Sequence, residues 1–219
     1  PGSGDNTGPG AANPSAGCAA TTGLLTDSDT YSLQFNGIER AYRLNVPQGY
    51  TTTSASPLVM LFHGWGGNQN EFIGNATVTS EAEQRGYILV APVGLGSSAP
   101  DNSWNSWTFS GSASGLDGDG GDEIEGAICD FNNTADYNYP SCDGIAQNSC
   151  AWTQCQQDDV AFTAALLDHI GGRMCVDTDN VFASGGSNGG MFTWELAQNP
   201  VSAPLFRAIA PIIGLPHRG

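Results

Sequence analysis

The chain has 219 residues, 39% of them hydrophobic and 13% charged, which is long enough for one domain with a well-buried core. Twenty-two acidic against six basic residues leave a formal charge of −16, a surface that repels phosphate backbones and anionic lipid and suits a neutral polymer substrate better than nucleic acid. No apolar run approaches the length of a membrane-spanning helix, and thirty glycines with twelve prolines argue for a loop-rich domain over a helical bundle.

Residues 1–17 hold almost nothing apolar beyond alanine and read as a flexible linker, with a single domain over 18–219. The chain opens on Pro1, with no signal peptide ahead of it, as expected of a processed or trimmed form. Tyr31–Phe35 and Arg40–Val46 alternate apolar with polar residues around Asn36-Gly37, the pattern of an antiparallel hairpin. The character then changes. Pro57–Phe62 and Tyr87–Ala91 are continuous apolar runs, as expected of parallel strands covered on both faces, and roughly 69–85 supplies a crossover helix between them.

A long segment at about 96–156, rich in Gly, Ser, Asp and Asn, has no sustained periodicity. Such a loop inside a compact domain is unusual unless it is functional or stapled. It carries four of the six cysteines, Cys129, Cys142, Cys150 and Cys155; Cys18 and Cys175 lie outside it. The spacing lacks paired metal-binding knuckles and the three histidines lie elsewhere, so disulfides are expected, with an oxidising, extracellular compartment. Spacing alone does not choose the pairing. Two sequons, at Asn75 and Asn132, fit a secreted glycoprotein. Asp117, Asp119, Asp122 and Glu125 sit on a glycine-flexible stretch suited either to a hard cation such as calcium or to plain solvation, without the EF-hand spacing. Trp104 and Trp107 offer flat faces to a sugar or aromatic ring, or packing beneath the loop; Trp152 is read as packing. No cofactor is called for, and the oligomeric state is left open.

From Asp158 the pattern turns helical. Asp158 and Asp159 suit the positive helix N-terminus, Val160, Thr163, Leu166, Leu167 and Ile170 form one apolar face, and Gly171-Gly172 stops it. A strand at Asn180–Ala183, a glycine-rich turn, a helix at about 188–198 and an apolar run at Phe206–Ile213 follow. A hairpin followed by alternating strands and helices makes an α/β domain with a mostly parallel sheet.

The turn reads Gly185-Gly-Ser187-Asn-Gly189, the nucleophile-elbow pattern, directly after a strand and before a helix. In a chain this rich in glycine the bare pattern recurs by chance; its place between strand and helix gives it weight. Glycines there permit the strained backbone that lifts a serine hydroxyl above the sheet, and the helix N-terminus aims amides at developing negative charge. His63-Gly-Trp65-Gly-Gly67 follows the strand ending at Phe62, where a second oxyanion donor belongs. Ser187 is the expected nucleophile, with the backbone amides of Trp65 and Asn188 as oxyanion donors and His63 in a structural role.

Together Arg40–Pro47, Leu58–Trp65, Ser103-Trp-Asn105, Asp158-Asp-Val160 and Gly186–Met191 resemble the polyhydroxybutyrate-depolymerase-like and feruloyl-esterase-like branch of the α/β-hydrolases, over about 30–213. The resemblance implies that fold and hydrolysis of carboxylic esters, either polyesters or feruloyl and acetyl esters on polysaccharides. It departs from the family in one respect. The acid and the histidine of such enzymes follow the serine. Here no Asp follows Ser187, the one later acid is Glu195 in the elbow helix, and His217 comes too early for the family's base. His169, near a helix C-terminus, reads as a capping group. The chain is therefore expected to lack its C-terminal strands. A non-catalytic pseudo-hydrolase, serving as an adhesion, matrix or polysaccharide-binding module, is the competing reading.

Overall fold

A computed structural model describes residues 12–96, 105–108 and 158–214. The described residues form one six-stranded sheet. Strands β1 (Ser28–Phe35) and β2 (Ile38–Asn45) pair antiparallel, and Asn36 and Gly37 turn between them at φ 49° and 79°, the left-handed values a two-residue hairpin demands. Strand β2 runs antiparallel to β4 (Ile88–Pro92), and β4, β3 (Ser56–Phe62), β5 (Val176–Gly186) and β6 (Ala208–Ile212) run parallel to one another. The order across the sheet is β1-β2-β4-β3-β5-β6.

The apolar runs behave as continuous apolar runs should. All five residues of β4 are buried, as are Leu58, Met60, Leu61 and Phe62 of β3. Two clusters cover the two faces. One joins Leu58, Met60, Phe62, Ile88 and Val90 to Phe162, Leu166, Ile170, Phe192 and Leu196; the other joins Leu61, Leu89 and Ala91 to Ile73 and Ala82. The single crossover expected at 69–85 is two helices, α1 (Asn70–Ile73) and α2 (Ala76–Arg85). Gly74 ends the first, and the Asn75 side chain accepts from the Thr77 and Val78 amides to cap the second. The sequon asparagine is exposed, and its cap uses the side-chain oxygen, leaving the nitrogen outside that interaction.

Helix α3 (Asp159–Gly171) and helix α4 (Asn188–Gln198) flank β5 in sequence. Asp158 caps α3 through the Ala161 amide at 2.8 Å. Asp159, placed at the helix start as expected, is also fully buried and pairs with Arg40 at 2.7 Å. The buried face of α3 includes Phe162, which the expected apolar stripe omitted, while Leu167 is only partly buried. Phe162 lies under the Arg40 guanidinium, 3.9 Å from the ring centre.

The structure differs from the linker expectation at residues 12–17, which dock against β5. The Ser15 amide donates to Val176 O at 2.9 Å, the Val176 amide donates back to Ser15 Oγ at 3.0 Å, and the Gly17 amide donates to Gly171 O at 2.7 Å. Cys18 closes this clip in a disulfide with Cys175, 157 residues on. Short, polar and proline-bearing, the segment carries no apolar periodicity; backbone hydrogen bonds and the crosslink hold it, and pattern reading detects neither. Cys129, Cys142, Cys150, Cys155, Asn132, Trp104, Trp152 and His217 lie outside the described residues, as do Asp117, Asp119, Asp122 and Glu125. Among the described residues no cluster of His, Cys, Asp and Glu is placed to hold a metal ion, and no helix is long and apolar enough to cross a membrane.

Candidate active site

The strand order reverses at β3, whose neighbours are β4 on one side and β5 on the other. A crevice opens beyond the carboxyl ends of parallel strands where the order reverses, because the connecting segments leave in opposite directions. Phe62 ends β3 and Gly186 ends β5, so His63–Gly67 and Ser187 sit side by side at this crevice.

Ser187 takes φ 52° and ψ −116°, a conformation that disfavours any residue with a β-carbon by about 1–3 kcal/mol. The surroundings hold it there. Its amide donates to Ile212 O on β6 at 2.9 Å, and its carbonyl accepts the Met191 amide at 2.9 Å to start α4. Its side chain makes no capping bond to that helix and the residue is exposed, whereas Asn188, Gly189 and Gly190 behind it are buried. The hydroxyl is thus presented to solvent above a packed turn.

The two outer glycines of the motif are steric requirements. A β-carbon on Gly189 would overlap the carbonyl oxygens of Phe62 and His63, and one on Gly185 would overlap Gly189 O and come within 2.8 Å of Phe62 O. Helix α4 therefore starts in direct backbone contact with the end of β3. The first-turn amides of a helix lack intrahelical acceptors. Here they open beside the loop bearing Trp65. Trp65, Ser187, Asn188 and Met191 line one cleft of about 130 Å³. The three residues singled out from the sequence are brought together. A larger hollow of about 460 Å³ lies elsewhere, lined among others by Ser15, Leu167 and Pro204, away from the serine and without a nucleophile-base arrangement among the described residues.

His63 is structural. The Gly94 amide donates to its Nε2 at 2.9 Å, which places the ring proton on Nδ1, where it donates to Gly64 O at 2.6 Å. Burial pushes its pKa down to about 4. Neutral and occupied on both nitrogens, it has no lone pair to offer Ser187. His169 is committed as well: Arg173 Nη1 donates to Nδ1 at 3.0 Å, and Nε2 meets Tyr42 Oη at 3.0 Å. Partial burial and then Arg173 lower its pKa. The same burial, with Tyr31 nearby, raises Tyr42 to about 12.

Sequence reasoning missed the short segment 105–108. Trp107, left open there between substrate platform and packing, is fully buried, stacked on Phe192 with centroids 5.3 Å apart and edge-on to Phe62 at 5.2 Å. Its indole donates to His63 O at 3.0 Å and its amide to Asn188 Oδ1 at 3.1 Å. Thr108 donates through both its amide and hydroxyl to Asp159, and the Gly66 amide donates to Asn105 O. Glu71 accepts the Gly64 amide at 2.9 Å; burial raises its pKa more than that bond lowers it.

No family model matches the chain. Feruloyl esterase D of Neurospora crassa is 26% identical over 204 residues, covering 93% of this chain and 55% of that protein. Among solved structures, a ferulic acid esterase superposes with a TM-score of 0.51 at 16% identity, over 82% of this chain and 57% of the other. The native form of a protein called sOPH does so with 0.52 at 18%, over 88% and 53%. The chain spans about half the length of these relatives. With its sheet order and elbow, it has the α/β-hydrolase fold, as the sequence implied.

Proposed function

We propose that the protein is a secreted carboxylic ester hydrolase with Ser187 as its nucleophile. One observation carries this: a strained, exposed serine at the sheet's switch point shares a cleft with Trp65 and with Asn188 at the start of a helix. In the reaction, Ser187 Oγ attacks the ester carbonyl carbon and passes its proton to a histidine base. The carbonyl oxygen becomes an anion held by the Trp65 and Asn188 amides, and collapse expels the alcohol, which takes the proton from the histidine. Water, deprotonated by the same histidine, then attacks the acyl-serine and releases the acid. His63 and His169 are engaged elsewhere, so the base and its orienting acid come from outside the described residues.

The named activity of the Neurospora relative supports a feruloyl or related ester on a polysaccharide, with a polyester as the alternative substrate. The Cys18–Cys175 crosslink supports an oxidising, extracellular setting, and the exposed Asn75 supports glycosylation. The engagement of both described histidines is what favours the second reading, a non-catalytic pseudo-hydrolase that binds polysaccharide or matrix.

The natively purified protein, treated with a fluorophosphonate, is expected to gain one adduct at Ser187 by intact mass and peptide mapping. It is also expected to cleave small aryl esters, with Ser187→Ala losing both properties. Undiminished turnover in that variant, or a wild-type protein inert to probe and esters alike, would overturn the reading.

A further inference from the structure

The two amides read as oxyanion donors belong to segments far apart in the chain, the loop 63–67 and the elbow 185–189. Their relative placement must hold to a fraction of an ångström for both to reach one oxygen. The described residues 105–108 touch both. On the loop side, the Gly66 amide donates to Asn105 O at 2.8 Å and Asn105 Nδ2 donates to Gly67 O at 2.9 Å. This is a two-point grip on the residues immediately after Trp65. On the elbow side, the Trp107 amide donates to Asn188 Oδ1, while its indole donates back to the start of the loop at His63 O.

We infer that Asn105 is a positioning residue for ester hydrolysis, its side-chain amide setting the Trp65 loop against the elbow through the Asn105–Trp107 strap. The inference rests on the reading of Trp65 and Asn188 as oxyanion donors. Gly66 sits at φ 73°, a value open to glycine, and the Gly67 amide donates to Gly64 O at 3.0 Å, a turn that shapes the loop without tying it to the elbow. Asn105 supplies the two bonds that join the far side of the loop, at Gly66 and Gly67, to the strap. Because the Gly66 bond uses the Asn105 main chain, a side-chain change at 105 removes only the Gly67 contact and leaves the strap in place.

The test compares Asn105→Asp and Asn105→Ala with wild type in the native, full-length protein, using an aryl ester and an arylboronic acid whose anionic adduct occupies the oxyanion site. At pH 8, Asn105→Asp sets a carboxylate oxygen against Gly67 O. The expected result is a kcat at least tenfold lower, with KM within twofold and boronate affinity lowered by the same factor as kcat. Asn105→Ala is expected to lose less, about threefold to tenfold, since it leaves a gap in place of a repulsion. As pH falls, the aspartic acid gains a proton, donates to Gly67 O and restores the bond. The wild-type to Asn105→Asp kcat ratio should therefore shrink toward one. Glu71, whose carboxylate occupies the place of a β-carbon on Gly67, and His63 are present in both proteins and cancel in that ratio.

Asn105→Asp and Asn105→Ala both turning over within twofold of wild type, in a protein whose turnover still requires Ser187, would overturn this inference and spare the hydrolase reading. A pH-independent ratio, or losses in KM with boronate affinity unchanged, would also overturn it. A wild-type protein without Ser187-dependent turnover removes the hydrolase reading itself and this inference with it.

Discussion

His63 provides a stability test with a defined sign. Its folded-state pKa is pushed down to about 4 from the ordinary 6.5 by burial. Protonation would put a hydrogen on Nε2 where the Gly94 N–H already points. Between pH 6.5 and 4 the unfolded chain binds a proton here that the folded chain refuses, so stability falls as pH falls. The contribution is fully present above pH 6.5, declines through the window and levels off below about 4. Integration over that window gives a loss of roughly 2–3 kcal/mol at pH 4.5 relative to pH 8. In His63→Gln the amide oxygen can accept from Gly94, while the Nδ1 bond to Gly64 O is lost. The variant is expected to be less stable at pH 8 by about 1–2 kcal/mol. Urea unfolding with disulfides intact, from pH 8 to 4.5, should show that gap closing and then reversing in favour of the variant. Other groups titrate in both proteins and cancel in the difference. A gap that stays constant within about 0.5 kcal/mol over the range would refute a buried neutral His63.

Two further outcomes follow from close packing and buried charge. Arg40→Met removes the cation 2.7 Å from the fully buried Asp159 and leaves that carboxylate with Thr108 as its donor among the described residues. The expected destabilisation is about 3–5 kcal/mol by calorimetry or denaturant titration, recovered only in part in Arg40→Met/Asp159→Leu because the Thr108 amide and hydroxyl lose their acceptor; a loss below about 1 kcal/mol in the single variant would show that the pair is not a buried ion pair. Gly189→Ala drives a β-carbon into the Phe62 and His63 carbonyls, whereas a β-carbon at Gly186 lies 3.3 Å from Glu71 Oε1, the end of a movable side chain. Thermal melts should show Gly189→Ala losing at least about 3 kcal/mol or failing to fold, and Gly186→Ala losing about 1 kcal/mol, so equal melting temperatures would contradict the packing of α4 on β3.

What could be read beforehand follows from how each element is stabilised. The hairpin, β3, β4, α3 and the elbow announce themselves because local chemistry specifies them: Asn36-Gly37 for the turn, unbroken apolar runs for strands covered on both faces, Gly185 and Gly189 around Ser187. Bounds were less legible. Strand β5 runs from Val176 through polar Asp177, Thr178 and Asp179, a stretch paired with the N-terminal clip and invisible to a hydrophobic pattern. The second role of Asp159, beyond the helix start, is illegible for a related reason. Two adjacent acids at a helix start look alike in sequence; the partner that separates them, Arg40, lies on β2 more than a hundred residues earlier. Trp107 was undecidable, since a flat ring suits a ligand and a core equally, and its neighbours Phe62 and Phe192 come from opposite ends of the chain.

The contacts of 105–108 also bear on how such a site is built. A loop inserted into a finished fold would touch it at its ends, and its removal would leave the site standing. Here Arg40 on β2 pairs with Asp159, Asp159 accepts from Thr108, and the adjoining Trp107 fills the core between β3 and α4 while binding the carbonyl of His63 and the side chain of Asn188. Each of these groups is buried, so each would be an unsatisfied polar atom or a cavity without its partner, at about 1–3 kcal/mol apiece. The Trp65 loop, for its part, is gripped by Asn105 and by Glu71 but has no strand partner of its own. The segment is thus an integral wall of the site. Variation that leaves this wall intact has to fall elsewhere, as on Met191, which lines the cleft beside Ser187.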